Sequence, residues 1–437
     1  MKKLFLYIGL MIVSALPLRT QAKVLQIFQS DKYQPVELNS IDSIEVTNIA
    51  NRLSLRIAKF DGSNLSIDLT DSVFHPVDYT CPLIEINTFE ELEEIPNKID
   101  FKDASIRISG FESYDDYSGE MQIRGRGNSS WENPKKPYRL KFSKKVSLCG
   151  LNNAKNYVLL ANYVDPTLML NSVASKIAQM LELPYTPEYV PVDVQLNGVY
   201  RGSYVLTNKP GINAGSVDID EENSVMWELD SYFDEDLKFR SPIYQLPVNL
   251  ADPDMTEEQF KEWEADFIEM EEAVAKVEAD DYIDLDSYAI YLLVHDIMKN
   301  DELSHPKSVK FYKSKGGKYI FGPLWDFDGA LSYWTNSEIF SFENINRRVE
   351  RHAFFFQMEK HQAVVEAYQK HFHEIKERLP ELMDYIDQYA EQLKYSYERN
   401  INHSYFPDQQ FDEAVSKMKE WIMARMAAME SFDIMKK

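Results

Sequence analysis

Two acids one residue apart, Asp326 and Asp328 in "GPLWDFDG", are the first side chains in this sequence whose spacing suggests chemistry. If the stretch ends a strand, alternation turns both carboxylates to one face, where like charge is costly unless a cation is bound. Oxygen donors in a chain with only 8 His favour Mg2+, Mn2+ or Ca2+ over zinc. Upstream, "HDIMKND" closes an apolar helix and leaves Asp301 just beyond its end. The plainer alternative is one Asp capping a turn and the other in a salt bridge.

The opposite charge lies in the first half. In "IRGRGNSSWENPKKPYRLKF" and the residues just after it, eight Lys and Arg side chains between Arg124 and Lys145 face a single acid, Glu132. Gly125 and Gly127 alternate with Arg124 and Arg126, so backbone amides can approach an anion that guanidinium groups flank. Strand period puts Tyr138, Leu140 and Phe142 on one face and Arg139 and Lys141 on the other. A glycine turn leading into a cationic strand suits a polyphosphate, although an exposed hairpin with solvated charges has the same composition. Cations from the first half and carboxylates from the second together suggest a metal–polyphosphate centre.

The bulk properties bound the partners. A net charge of −24 argues against general nucleic-acid binding, which needs a broad positive field. Hydrophobic residues make up 44% and aromatic residues 13% of the 437, enough for sizeable cores in two or three domains. Lys2 and Lys3, the apolar "LFLYIGLMIVSALPL" and a small residue at Ala22 read as a cleaved export leader over 1–22. No later stretch is apolar enough to span a membrane, so the mature chain is expected to be exported: periplasmic, on the cell surface or secreted. Cys81 and Cys149 are expected to be buried free thiols or one disulfide.

The elements that must position these groups follow from periodicity. Residues 23–80 alternate as short strands, with "DGSN" as a turn, and read as a small β module. Thr88 opens a capping-box pattern that predicts a short helix. Further strands lead to and follow the basic stretch, and residues 166–182 carry helical spacing with Pro166 in the first turn. Asn197-Gly198 and Gly316-Gly317 predict two hairpins. From about Thr256 the pattern turns helical, with long amphipathic segments at 353–400 and 408–435.

"IRGRGNSSW…KKPYRLKF", "YVLLANYVDPTLMLN", "NGVYRGSYVL" and "GPLWDFDGA", in that order, resemble the CotH kinase (spore coat protein H-like) family, from roughly Pro82 to at least Tyr333. The resemblance implies an α+β, atypical protein-kinase-like two-lobed fold. The β-rich N-lobe would cover 81–215 and the mainly helical C-lobe 216–437, with 23–80 as an accessory module. It also implies ATP as phosphoryl donor, Mg2+ or Mn2+, and transfer to Ser or Thr of a surface or envelope protein or of the chain itself.

Carried over by position, Asp301 would orient the acceptor hydroxyl and Asp326 would hold the metal, with Asp328 as a second ligand. Lys141 would contact the α/β-phosphates, joined by Lys136, Arg126 and the amides of Gly125 and Gly127. The chain departs from the pattern in two places. "ELSHPKS" after Asp301 lacks the metal-binding Asn of a kinase catalytic loop, leaving Ser308 or Asp328 for a second metal. Asn208 stands where an acid is expected, and Glu182, Glu188 and Glu228 are equal candidates for the lysine's partner. A non-catalytic binding or structural protein of the envelope on the same fold is the alternative function, and a Ca2+-binding acidic pair with a surface-anchoring β module is a third.

Overall fold

The computed structural model describes residues 24–435 except 30–31, 38–40, 50–51, 60–61, 69–71, 78–79, 112 and 332–338. The leader expected over 1–22 lies outside the described residues. Alternating residues from 24 to 77 form β1 (Val24–Gln29), β2 (Lys32–Glu37), β3 (Ile41–Ile49), β4 (Arg52–Lys59), β5 (Asn64–Asp68) and β6 (Ser72–Val77). They build two three-stranded sheets, ordered β2-β1-β6 and β3-β4-β5. The turn between β4 and β5 uses Gly62 at φ +84°.

Seven strands follow: β7 (Leu83–Thr88), β8 (Lys102–Ser109), β9 (Tyr117–Gly125), β10 (Tyr138–Val146), β11 (Ala154–Leu160), β12 (Val190–Leu196) and β13 (Val199–Asn208). They close a barrel in the order β10-β11-β13-β12-β7-β8-β9. The α+β class and the order of a β-rich part before a helical part are as expected. What the β-rich part builds, however, is this barrel. A second sheet, unexpected in size, lies in the latter half: β14 (Ser224–Leu229), β15 (Lys238–Arg240), β16 (Pro247–Asp252), β17 (Val309–Ser314) and β18 (Ile320–Phe321), ordered β15-β16-β14-β17-β18.

The helices are α1 (Ser129–Glu132), α2 (Leu170–Met180), α3 (Glu257–Lys276), α4 (Leu285–Met298), α5 (Ala353–Met358), α6 (Gln362–Glu377), α7 (Leu379–Asn400) and α8 (Phe411–Met429). Among the described residues, those of 126–190, 205–391 and 404–437 form one compact unit, and those of 1–125, 191–204 and 392–403 the other. Within the latter, the predicted hairpin forms, with Asn197 and Gly198 both at positive φ. The helix predicted at Thr88 does not. Thr88 ends β7 instead, because Asn197 engages both its backbone N–H and its hydroxyl at 2.8 Å. Asp193, wholly buried on β12, is held by Tyr200, Ser396 and Arg399.

The larger unit carries the candidate site. Trp227 of β14 packs edge-on against Phe239, Phe260 and Phe267, which seats α3 on the second sheet. A capping box between Thr256 and Gln259 fixes where α3 begins. Twelve consecutive residues of α4, Ser287 to Met298, are buried, so it forms the centre of this unit. The helix predicted over 166–182 starts only at Leu170, because Asp165 takes the N–H groups of Thr167 and Leu170, both at 2.8 Å. No helix among the described residues is long and apolar enough to cross a membrane. Cys81 and Cys149 are both buried free thiols.

Candidate functional site

β11 ends at Leu160, and the chain then turns sharply through Asn162 and Leu168, at φ +47° and +60°. Asn162 makes this turn with its own side chain, Nδ2 donating to the Leu168 carbonyl at 3.0 Å. Its Oδ1 is buried and has no hydrogen-bond partner. Asp165 braces the same loop, and burial pushes its carboxyl up to about 6 against the N–H groups it accepts.

A second loop, Gly322 to Asp328, faces the first. It is not the strand end that the sequence suggests, since β18 stops at Phe321. Asp326 adopts left-handed backbone at φ +67°, a conformation costing about 1 kcal/mol for a residue with a Cβ. Tertiary bonds hold it: Asn171 of α2 accepts the Phe327 N–H at 2.9 Å, and Asn300 donates to the Asp326 carbonyl at 3.0 Å. The two carboxyls therefore converge through a kinked loop, not through strand alternation. Burial, then the charge of Asp326 and a hydrogen bond with it, raises the Asp328 carboxyl well above the usual range.

The two loops line one narrow cleft of about 30 Å³, together with Arg126, Ser130, Pro137, Asn171 and Trp325. The Arg126 guanidinium lies over the Trp325 ring, 5.5 Å from its centroid. Burial draws its pKa down while Asp326, Glu228 and Asp328 pull it back up. A cation, two neighbouring carboxyls and an unsatisfied amide oxygen thus share one site. Among the described residues no group of three or more His, Cys, Asp and Glu gathers as a complete metal cage. Mg2+ does not require one, because it binds through one or two carboxylates and completes its shell with water and phosphate oxygens. The donor set therefore fits such an ion: Asp326, Asp328 and Asn162 Oδ1.

Below the cleft, Ser308 donates to Asp326 Oδ2 at 3.1 Å. Lys307 Nζ stands 3.7 Å from Asp326 Oδ2 and 3.7 Å from Glu302 Oε1. Burial alone would lower the Lys307 ammonium, but Asp326 and Glu302 more than offset it and hold it above its usual value. Burial, then Asp326, pushes the Glu302 carboxyl up to about 8.

A family model described as CotH kinase protein matches residues 123–429. The chain belongs to the CotH kinase family. A comparison with curated proteins found no match. Membership carries a kinase-like function, with ATP use and protein substrates as its general terms. The matched region begins later than the similarity read from the blocks alone and extends through α8. It contains the whole cleft.

The site residues expected from the CotH blocks fall into two groups. Arg126, Asp326 and Asp328 meet in the cleft. Gly127, at φ +81°, turns the chain just after Arg126, and a Cβ there would lie 2.1 Å from Ser130 Oγ. The other cations lie elsewhere. Lys136 donates to the Trp131 carbonyl at 2.7 Å and sits over the Trp131 ring, while Lys141 is exposed on β10. Of the two glycine amides expected to meet an anion, that of Gly125 is engaged by the Asn97 carbonyl, and the Arg126 N–H between them bonds the Pro137 carbonyl. Asp301 is more than half exposed, with Lys299 Nζ at 2.9 and 3.3 Å from its two oxygens. Asn162, Asn171, Glu302 and Lys307 escaped the sequence reading. The two Asn lie inside the quoted "YVLLANYVDPTLMLN" block, and amides within so apolar a segment were the available signal.

Proposed function

We propose that this chain is an exported CotH kinase that transfers the ATP γ-phosphate, with Mg2+ or Mn2+, to Ser or Thr of a surface or envelope protein or of itself. In this reading residues 81–215 act as the β-rich lobe of a kinase-like fold and 216–437 as its helical lobe. The observation that carries it is the meeting of Arg126, Asp326, Asp328 and the unsatisfied Asn162 oxygen in one cleft.

The chemistry asked of the protein is positioning and charge neutralisation. The acceptor oxygen forms a bond to the γ-phosphorus as the bond to the bridging β-phosphate oxygen breaks. The electron pair leaves on ADP, and the hydroxyl proton passes to the Asp301 carboxylate. Arg126 neutralises phosphate charge, the role the sequence divided among Arg126, Lys136 and Lys141. Asp326 and Asp328 hold the divalent ion, whose contribution when bound is to offset charge on the phosphate oxygens. Half-exposed Asp301 lies where a protein hydroxyl can reach it.

The test is autophosphorylation of the purified mature chain with Mn2+ or Mg2+ and labelled ATP. Label is expected on the wild type and its loss on Asp326→Ala. Equal label on both, or none on either, favours the alternative, a binding protein on the same fold. That alternative is supported by Asn208, which stands in place of an expected acid and donates to the Asn152 carbonyl at 3.1 Å.

A further inference from the structure

Lys307 is held unlike the two lysines that follow it on β17. Lys310 meets Glu228 at 2.5 Å and Lys313 meets Asp266 at 2.6 Å, both at hydrogen-bonding distance. Lys307 stands 3.7 Å from each of two carboxylates and bonds neither closely. It is kept in place by charge, on a flexible stem, with 19% of its side chain exposed. Glu302 on its other side keeps Oε2 buried without a hydrogen-bond partner. Asp326 meanwhile has its own anchor in the Ser308 hydroxyl and does not depend on Lys307 for orientation.

We infer that Lys307 is a travelling cation: it neutralises Asp326 in the nucleotide-free chain and contacts the transferring phosphoryl group once Asp326 is engaged by a divalent ion. This rests on the kinase reading above. Two positive charges cannot share Asp326 cheaply, so Lys307 yields the carboxylate and turns to the nearest new anion, the terminal phosphate. Glu302 is its tether: its buried Oε2, which has no partner, can accept a hydrogen bond from the displaced ammonium. As the γ-phosphorus passes from the β-phosphate oxygen to the acceptor oxygen, the ammonium offsets charge on the phosphoryl oxygens and gives up no proton.

The test uses the full mature chain, with Mn2+ alone as the first probe. Lys307→Met removes the charge that competes for Asp326, so nucleotide-free Mn2+ binding should tighten about tenfold. The same variant should lose about 100-fold in kcat for phosphoryl transfer, with KM for ATP moved less than about threefold. Lys307→Arg should recover most of kcat. Glu302→Gln frees Lys307 to pair with Asp326 alone and should weaken Mn2+ binding, a shift opposite in sign to that of Lys307→Met. A damaged fold would weaken binding in both variants, so the opposite signs exclude a merely structural role. Should Lys307→Met fail to fold, Glu302→Gln with unchanged or tighter Mn2+ binding overturns the inference. Wild type that transfers phosphate while Lys307→Met keeps its rate overturns the inference alone. Wild type that transfers none overturns the kinase reading and the phosphate role of Lys307 with it.

Discussion

The imidazole of His295 lies 4.8 Å from the ring of Phe327, the residue that separates Asp326 from Asp328. His295 belongs to the buried helix α4 and Phe327 to the kinked loop, so this contact seats the acidic pair on the most buried element of its unit. Burial drives the His295 pKa down to about 3, and the ring is neutral at any working pH. An unfolded His takes its proton near pH 6.5, and the folded one does not. Stability is therefore full above about 6.5 and is lost as pH falls from there toward the folded value. Urea unfolding should show roughly 2 kcal/mol of this loss between pH 7 and pH 5. His295→Gln, which cannot titrate, should show a correspondingly shallower decline. Identical pH slopes for the two chains would rule out His295 as the source.

Proton and metal ion compete for the acidic pair. Because the Asp328 pKa is raised, a divalent ion must displace a proton at neutral pH. Nucleotide-free Mn2+ affinity is expected to climb from pH 6.5 to 8.5 and to release protons in weakly buffered solution. Asp328→Asn should bind more weakly and lose most of the pH dependence. Calorimetry in buffers of different ionisation enthalpy measures both quantities. A pH-independent wild type would exclude this coupling.

The strands were legible because apolar and polar residues alternate, and both glycine-marked hairpins stand where the dipeptides predict. Closure of the barrel was not. It depends on β7 and β12 pairing in parallel, with Leu83 opposite Asp193, and alternation within a strand carries no information about so distant a partner. The second sheet was hidden for a similar reason, because α3 and α4 separate β17 from β14 and β16. In the site, charge pattern found Arg126, Asp326 and Asp328 but could not tell Arg126 from Lys141. Only tertiary burial separates a guanidinium in the cleft from an ammonium exposed on β10. Glu302 and Lys307 look like ordinary surface charges in "NDELSHPKS", and their role is visible only beside Asp326.

Asn162 serves the cleft in two ways, and they can be separated. Its Nδ2 bond to Leu168 and its left-handed backbone are structural, and Asn162→Ala should cost roughly 2–3 kcal/mol of stability. Its free Oδ1 is the part assigned to the cation. Asn162→Ala should therefore also weaken Mn2+ binding at temperatures where the chain is still folded. Melting curves and Mn2+ titrations on one preparation test both. Unchanged metal affinity in a folded variant would limit Asn162 to shaping the loop.

Asp301 and Asp326 are given different tasks, and their surroundings predict different failures. Asp301 is more than half exposed and pairs with Lys299, so Asp301→Asn removes a surface ion pair worth at most about 1 kcal/mol. The fold, Mn2+ affinity and ATP binding should all survive this change. Phosphoryl transfer should fall by a factor on the order of 100 to 10000, since the acceptor proton loses its destination. Asp326→Asn, by contrast, leaves Lys307 with Glu302 alone and removes a metal donor, and should lose Mn2+ affinity together with transfer. Thermal shift with Mn2+ and ATP, set beside labelled transfer, distinguishes the two patterns. An Asp301→Asn chain that transfers at the wild-type rate would move the acceptor's base to another carboxylate, such as Glu302, which faces Asp326 through Lys307.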